Sequence, residues 1–177
     1  MRIRLAAPLT VDSIVDGPGL RTVIWTQGCI HNCKGCHNPQ THDMNGGFVV
    51  DSEEIIAQLK KIKLQKGITL SGGDPFLQAS CLVPVARAAK ELGMDVWAYT
   101  GFKWEQLLNP KHSFYTDFMN LLECIDVLVD GRFIESQKIP GLLFRGSSNQ
   151  RIIDVGKSLN HKGLFLLEEY MQEQKMQ

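Results

Sequence analysis

The chain has 177 residues, 44% hydrophobic and 21% charged. That length suits one domain over residues 1–177, and that composition excludes a disordered chain and leaves enough apolar surface for a core. Lys plus Arg and Asp plus Glu stand at 19 against 19, so no overall basic field recruits nucleic acid. No stretch approaches the roughly 18 apolar residues of a membrane span. The first apolar stretch breaks at Pro8, short of the about 7–15 residues of an export signal. The expected location is the cytoplasm, with neither membrane nor nucleic acid as a partner.

Along the chain, strands and helices alternate. RTVIWT (21–26) reads as a buried strand, because β-branched and aromatic residues dominate it. Residues 52–64 read as a helix, with Asp51 or Ser52 as its cap and Glu53 and Glu54 at its positive end. Ile55, Leu59 and Ile62 form its apolar stripe. ITLS (68–71) is a second strand. Residues 77–92 form a helix with Leu82, Val85, Ala86, Ala89 and Leu92 at helical spacing, stopped by Gly93. DVWAY (95–99) is a third strand. A helix over 114–124 presents Phe114, Phe118, Leu121 and Leu122 on one face, and IDVLVD (125–130) is a fourth strand. QRIIDV (150–155) supplies a fifth, and GLFLLEEY (163–170) suits strand and helix equally.

Such alternation predicts an α/β fold with a parallel sheet and helices outside it. A full eightfold barrel needs about 250 residues, so the expectation is an incomplete, open (β/α) barrel of five or six units. Chemistry in such folds gathers at the C-terminal ends of the strands. Cys29, Gly72-Gly73-Asp74-Pro75, Thr100-Gly101 and Asp130-Gly131-Arg132 all fall there.

Three of the five cysteines, Cys29, Cys33 and Cys36, form a CxxxCxxC loop. A disulfide framework favours an even, dispersed set, so the cluster points to metal. One reading is a [4Fe-4S] cluster held by three thiolates, with one iron left open for a substrate. The other is a structural zinc site with His37 as the fourth ligand. His37 directly follows Cys36, which is awkward for one tetrahedral ion, and no second ligand knuckle is present.

CxxxCxxC after one strand and SGGDP (71–75) after the next resemble the radical S-adenosylmethionine superfamily. DGPGLRTVIWTQGC (16–29), CHNP (36–39), YTGF (99–102), VDGRF (129–133) and FRGSSNQRIIDV (144–155) are similar to the activating enzymes of glycyl radical enzymes. The resemblance spans most of residues 16–155. It implies a radical-SAM-type barrel, with a [4Fe-4S] cluster on Cys29, Cys33 and Cys36 and S-adenosylmethionine as cofactors. It also implies that Gly35, Cys36, His37, Gly72, Gly73, Asp74 and Arg132 bind the cofactors, Asp74 by accepting from the S-adenosylmethionine ammonium. No side chain acts as a catalytic acid or base. The implied partners are an anaerobic ribonucleotide reductase, met transiently, and a low-potential electron donor such as flavodoxin or ferredoxin. Two alternatives remain: activation of another glycyl radical enzyme such as pyruvate formate-lyase, or a small-molecule substrate. Where the superfamily usually has an aromatic residue before its third cysteine, this chain has Gly35, which removes side-chain stacking but not backbone contact.

The remaining residues have plainer readings. Arg145, Asn149 and Arg151 suit either the rim of the site or an ordinary surface. His31, His42, His112 and His161 read as surface histidines, Cys81 and Cys124 as structural thiols, and Trp25, Trp97 and Trp104 as core.

Overall fold

The computed structural model describes residues 1–172. Its centre is four parallel strands, β3 (Arg21–Thr26), β5 (Gly67–Gly72), β6 (Asp95–Tyr99) and β7 (Val127–Asp130), lying side by side in chain order. Helices carry the chain back between them: α1 (Ser52–Leu59), α2 (Ala79–Glu91), and the pair α3 (Trp104–Leu107) and α4 (Tyr115–Leu122). Each longer helix buries one stripe: Ile55 and Leu59 on α1, Leu82, Val85, Ala86 and Ala89 on α2, and Phe118, Leu121 and Leu122 on α4. These meet Ile24, Ile68, Leu70, Val96, Ala98 and Leu128 in one core on one face of the sheet. Asp51 caps α1 by accepting from the Glu53 amide at 3.1 Å, and Glu54 completes a capping box. The helix ends at Leu59 rather than at residue 64.

The sheet is not a closed barrel, and it departs from the expected repeat of five or six parallel units. β8 (Arg151–Asp154) pairs with β7 antiparallel, Asp130 opposite Arg151. Residues 131–150 hold no α-helix, only a 3₁₀ turn at Glu135–Gln137. Without a crossover helix the chain re-enters the sheet from the near end, so the new strand must run the other way. Three further strands extend the opposite side. β1 (Arg2–Leu5) pairs antiparallel with β3 and with β4 (Phe48–Asp51), and β2 (Thr10–Ser13) pairs antiparallel with β3. The order is β4-β1-β3-β5-β6-β7-β8, with β2 beside β3.

Residues 163–170 take both forms that the sequence allows. Leu166 bridges Ile153, and α6 (Glu168–Met171) follows. The Tyr170 ring lies 5.7 Å from Trp97 and 5.4 Å from Phe144. Leu167, Tyr170 and Met171 thus cover Trp97, Val129 and Ile152 on the sheet face opposite the helices. Among the described residues no helix is long and apolar enough to cross a membrane.

Candidate cluster and cofactor site

A pocket of about 480 Å³ opens at the C-terminal ends of the parallel strands. Cys29 stands after β3, Gly72 and Gly73 at the end of β5, Thr100 and Gly101 after β6, and Gly131 after β7, and all of them line it.

The cysteine loop is tied at its base. Gly28 donates to Thr41 O at 2.8 Å, and Gln27 Nε2 donates to Asp43 O at 2.7 Å. The chain reverses there through a 3₁₀ turn at Pro39–Thr41. Between these ties, Cys29, Cys33 and Cys36 all face the pocket. Each sulfur meets backbone amides: Cys29 those of His31 and Asn32, Cys33 that of Phe133, and Cys36 that of Asn38 at 3.4 Å. Burial pushes the Cys29 and Cys33 thiols up, while those amides, and the Arg132 charge near Cys33, act the other way. Cys81 and Cys124 lie away from the pocket, and Cys124 donates to Asn120 O.

Gly72 and Gly73 form a seam against this loop. Gly73 donates to Thr26 O at 2.7 Å, and Asp74 donates to Gly28 O at 2.8 Å. A Cβ on Gly73 would stand 2.2 Å from Gly28 O, and one on Gly72, where φ is +101°, would stand 2.4 Å from Thr26 O. Close backbone approach therefore demands glycine at both positions, and both also line the pocket.

Three of the expected cofactor contacts, Asp74, Arg132 and Gly35, lie off the pocket wall. Asp74 does not face the pocket. It is 1% exposed, and its carboxylate accepts from His31 Nε2 (2.6 Å), Gly101 N (3.0 Å), Phe76 N (3.0 Å) and Thr100 Oγ1 (2.9 Å). With its oxygens so engaged, it is not placed to accept from a ligand ammonium. Arg132 is exposed and off the pocket wall. The pocket's guanidinium is Arg145, which donates to Ser148 O, Gln150 O and Met171 O. His37 does line the pocket, against Phe133 at 5.0 Å, whereas Gly35 lies outside the lining beneath Glu135.

Other residues also moved. His31 is buried rather than on the surface, and Trp25 lines the pocket rather than filling the core. Trp97 and Trp104 are buried as expected. Arg151 is a clamp: it joins buried Asp130 to Glu105, while the Trp104 amide donates to Asp130. Asn149 donates to Arg132 O. Sequence reasoning gave Arg21 no role of its own. It is fully buried, donates to Thr69 Oγ1, Ile68 O and Pro18 O, and pairs with Asp95. Thr69 in turn donates to Asp16 O at 2.7 Å, so Arg21 fixes the DGPG loop whose Val15 and Asp16 reach the pocket.

Comparison with known proteins bears on the same residues. Residues 15–153 match the family described as a 4Fe-4S single cluster domain. The anaerobic ribonucleoside-triphosphate reductase-activating protein of Salmonella typhimurium is 40% identical over 145 residues, covering 77% of this chain and 90% of the relative. The chain belongs to the anaerobic ribonucleoside-triphosphate reductase-activating protein family. The member from Vibrio cholerae is also 40% identical, over 78% of this chain and 90% of its own length. The crystal structure of QueE from Escherichia coli aligns with a TM-score of 0.48 at 15% identity, over 57% of this chain and 53% of that one.

The loop of this activating protein fits an iron–sulfur cluster. Three thiols share one wall, the Cys36 sulfur accepts from the Asn38 amide, and such hydrogen bonds are among the features that tune iron–sulfur centres. Among the described residues no three His, Cys, Asp or Glu side chains converge tightly enough to hold a single metal ion.

Proposed function

We propose that this chain activates an anaerobic ribonucleotide reductase by installing a glycyl radical on it, with Cys29, Cys33 and Cys36 holding a [4Fe-4S] cluster and S-adenosylmethionine bound in the adjoining pocket. The observation that carries the reading is the junction of three cysteines and the Gly72–Gly73 seam in one open pocket at the strand ends. With Cys29, Cys33 and Cys36 holding the cluster and the adjoining pocket holding S-adenosylmethionine, the two groups would supply reductive, hydrogen-abstracting radical chemistry directed at a glycine of the reductase.

The chain's own residues bind, orient and exclude water. The thiolates of Cys29, Cys33 and Cys36 each take one iron, and the amides of His31, Asn32, Phe133 and Asn38 support their sulfurs. Gly72, Gly73 and His37 offer backbone and ring edges to S-adenosylmethionine. Trp25 and Phe133 screen the interior from water. The pocket is open at its mouth, and an extended segment of the reductase enters it and serves as the lid. A low-potential donor such as flavodoxin or ferredoxin supplies the electron.

The test mixes reduced protein, S-adenosylmethionine and an anaerobic ribonucleotide reductase. A glycine-centred radical signal should appear on the reductase, and its splitting should collapse when that α-carbon is deuterated. Pyruvate formate-lyase under the same conditions should gain little or none. A signal on the lyase alone, or on neither protein, rejects the reading.

A further inference from the structure

The Asp74 carboxylate joins three loops in one buried contact. His31 comes from the cysteine loop, Asp74 from the loop after β5, and Thr100 and Gly101 from the loop after β6. The slot for the imidazole is built to shape. Its ring stands edge-on to Phe102 at 4.7 Å, and a Cβ on Gly101 would lie 2.3 Å from His31 Cδ2. The carboxylate accepts from Nε2, which fixes the ring's orientation. His31 sits midway between Cys29 and Cys33, lines their pocket, and brings its own amide to the Cys29 sulfur. Its other ring nitrogen, Nδ1, is buried and finds no partner among the described residues.

We propose that Asp74 and His31 form a clasp that sets the geometry of the cysteine loop, so that Asp74 is a positioning residue acting on the cluster through His31. This rests on the cluster assignment above and deepens it. Breaking the clasp changes the cluster before any S-adenosylmethionine is present. A direct ligand of S-adenosylmethionine would instead leave the cluster alone and weaken only the binding of that molecule.

The experiment uses the full chain reconstituted anaerobically with iron and sulfide. The electron paramagnetic resonance spectrum and midpoint potential of the cluster are recorded without S-adenosylmethionine, which is then titrated in. Asp74→Asn and His31→Leu should each shift the spectrum and the potential in the same sense. The double variant should move no further than the larger single one, because paired residues fail to add. His31→Gln, which keeps an amide donor, should recover part of the wild-type spectrum. Should Asp74→Asn take up no cluster, Thr100→Val loosens the carboxylate more gently and should give a smaller shift of the same sign. Wild-type spectrum and potential in His31→Leu or Thr100→Val overturn the clasp. So does an Asp74→Asn protein with an unchanged cluster and S-adenosylmethionine affinity reduced about tenfold or more, the loss of one charged hydrogen bond. A wild-type chain that takes up no iron–sulfur cluster overturns the functional reading as well, which separates the two failures.

Discussion

On its helix-covered face the central sheet buries Ile24, Ile68, Leu70, Val96, Ala98 and Leu128. On the opposite face the same strands turn Arg21, Trp25, Thr69, Trp97 and Tyr99. The first face is held by apolar area, which is non-directional. The second joins a smaller apolar cluster around Trp97, Val129 and Ile152 to directed contacts: Arg21 to Thr69, Trp25 Nε1 donating to Thr10 Oγ1 at 2.8 Å, and the Tyr99 hydroxyl donating to Phe144 O at 2.8 Å. Burial pushes that Tyr99 hydroxyl up, so it stays a neutral donor. One face therefore sets how stable the protein is, and the other sets where its functional groups stand.

Substitutions on the two faces should separate these roles. The largest effect on function belongs to the pocket. Cys29→Ala, Cys33→Ala or Cys36→Ala should abolish cluster iron and radical formation while the cluster-free chain unfolds at nearly its wild-type urea midpoint. Cys81→Ala and Cys124→Ala should keep full iron content; loss of iron in either would break the separation.

The largest effect on stability belongs to the helix face. Phe118 is 1% exposed and packs on Phe76 and Phe102. Phe118→Ala should cost about 3–5 kcal/mol in urea unfolding, with a normal cluster spectrum in whatever protein remains folded. Tyr170→Ala should cost less, about 1–2 kcal/mol, because its ring is half-buried and meets two aromatic neighbours.

The smallest effect is electrostatic. Glu105 pairs with Arg151 but is 59% exposed. Glu105→Gln should cost under about 1 kcal/mol. Hydrogen bonding to Arg151 holds the Glu105 carboxyl below its ordinary range. Its contribution is therefore present above the unfolded-state value and is lost as pH falls through the folded one. The difference between wild type and Glu105→Gln should vanish on acidification, as read by thermal unfolding across pH.

The same contrast decides what the sequence disclosed. Elements that feed the apolar core carry their pattern in consecutive residues, so β3, β5, β6, β7, α2 and α4 were readable. β1, β2 and β4 were missed: each is four residues long, and β2 and β4 bury little. The direction of β8 was hidden because alternation looks the same both ways along a strand; only the lack of a helix pattern over 131–150 hinted at reversal. Within the site, the cysteine spacing was legible because its ligands are local. His31 was not, since its partner Asp74 is 43 residues away. Its position inside the cysteine loop was the available signal. Trp25 was misread because a lone tryptophan in a buried strand says nothing about which face it takes.

The ties at the base of the cysteine loop have a consequence for assembly. Gly28 to Thr41 and Cys29 to His42 close that loop in the chain itself. Closing a dozen-residue loop carries an entropic cost that grows only slowly with length, and these two hydrogen bonds offset part of it. Small metal domains that fold only on binding draw that cost from the affinity of the metal. Ties made by the chain itself lower the share of that cost left to the cluster, so stripping the iron should move the urea midpoint of this protein by little.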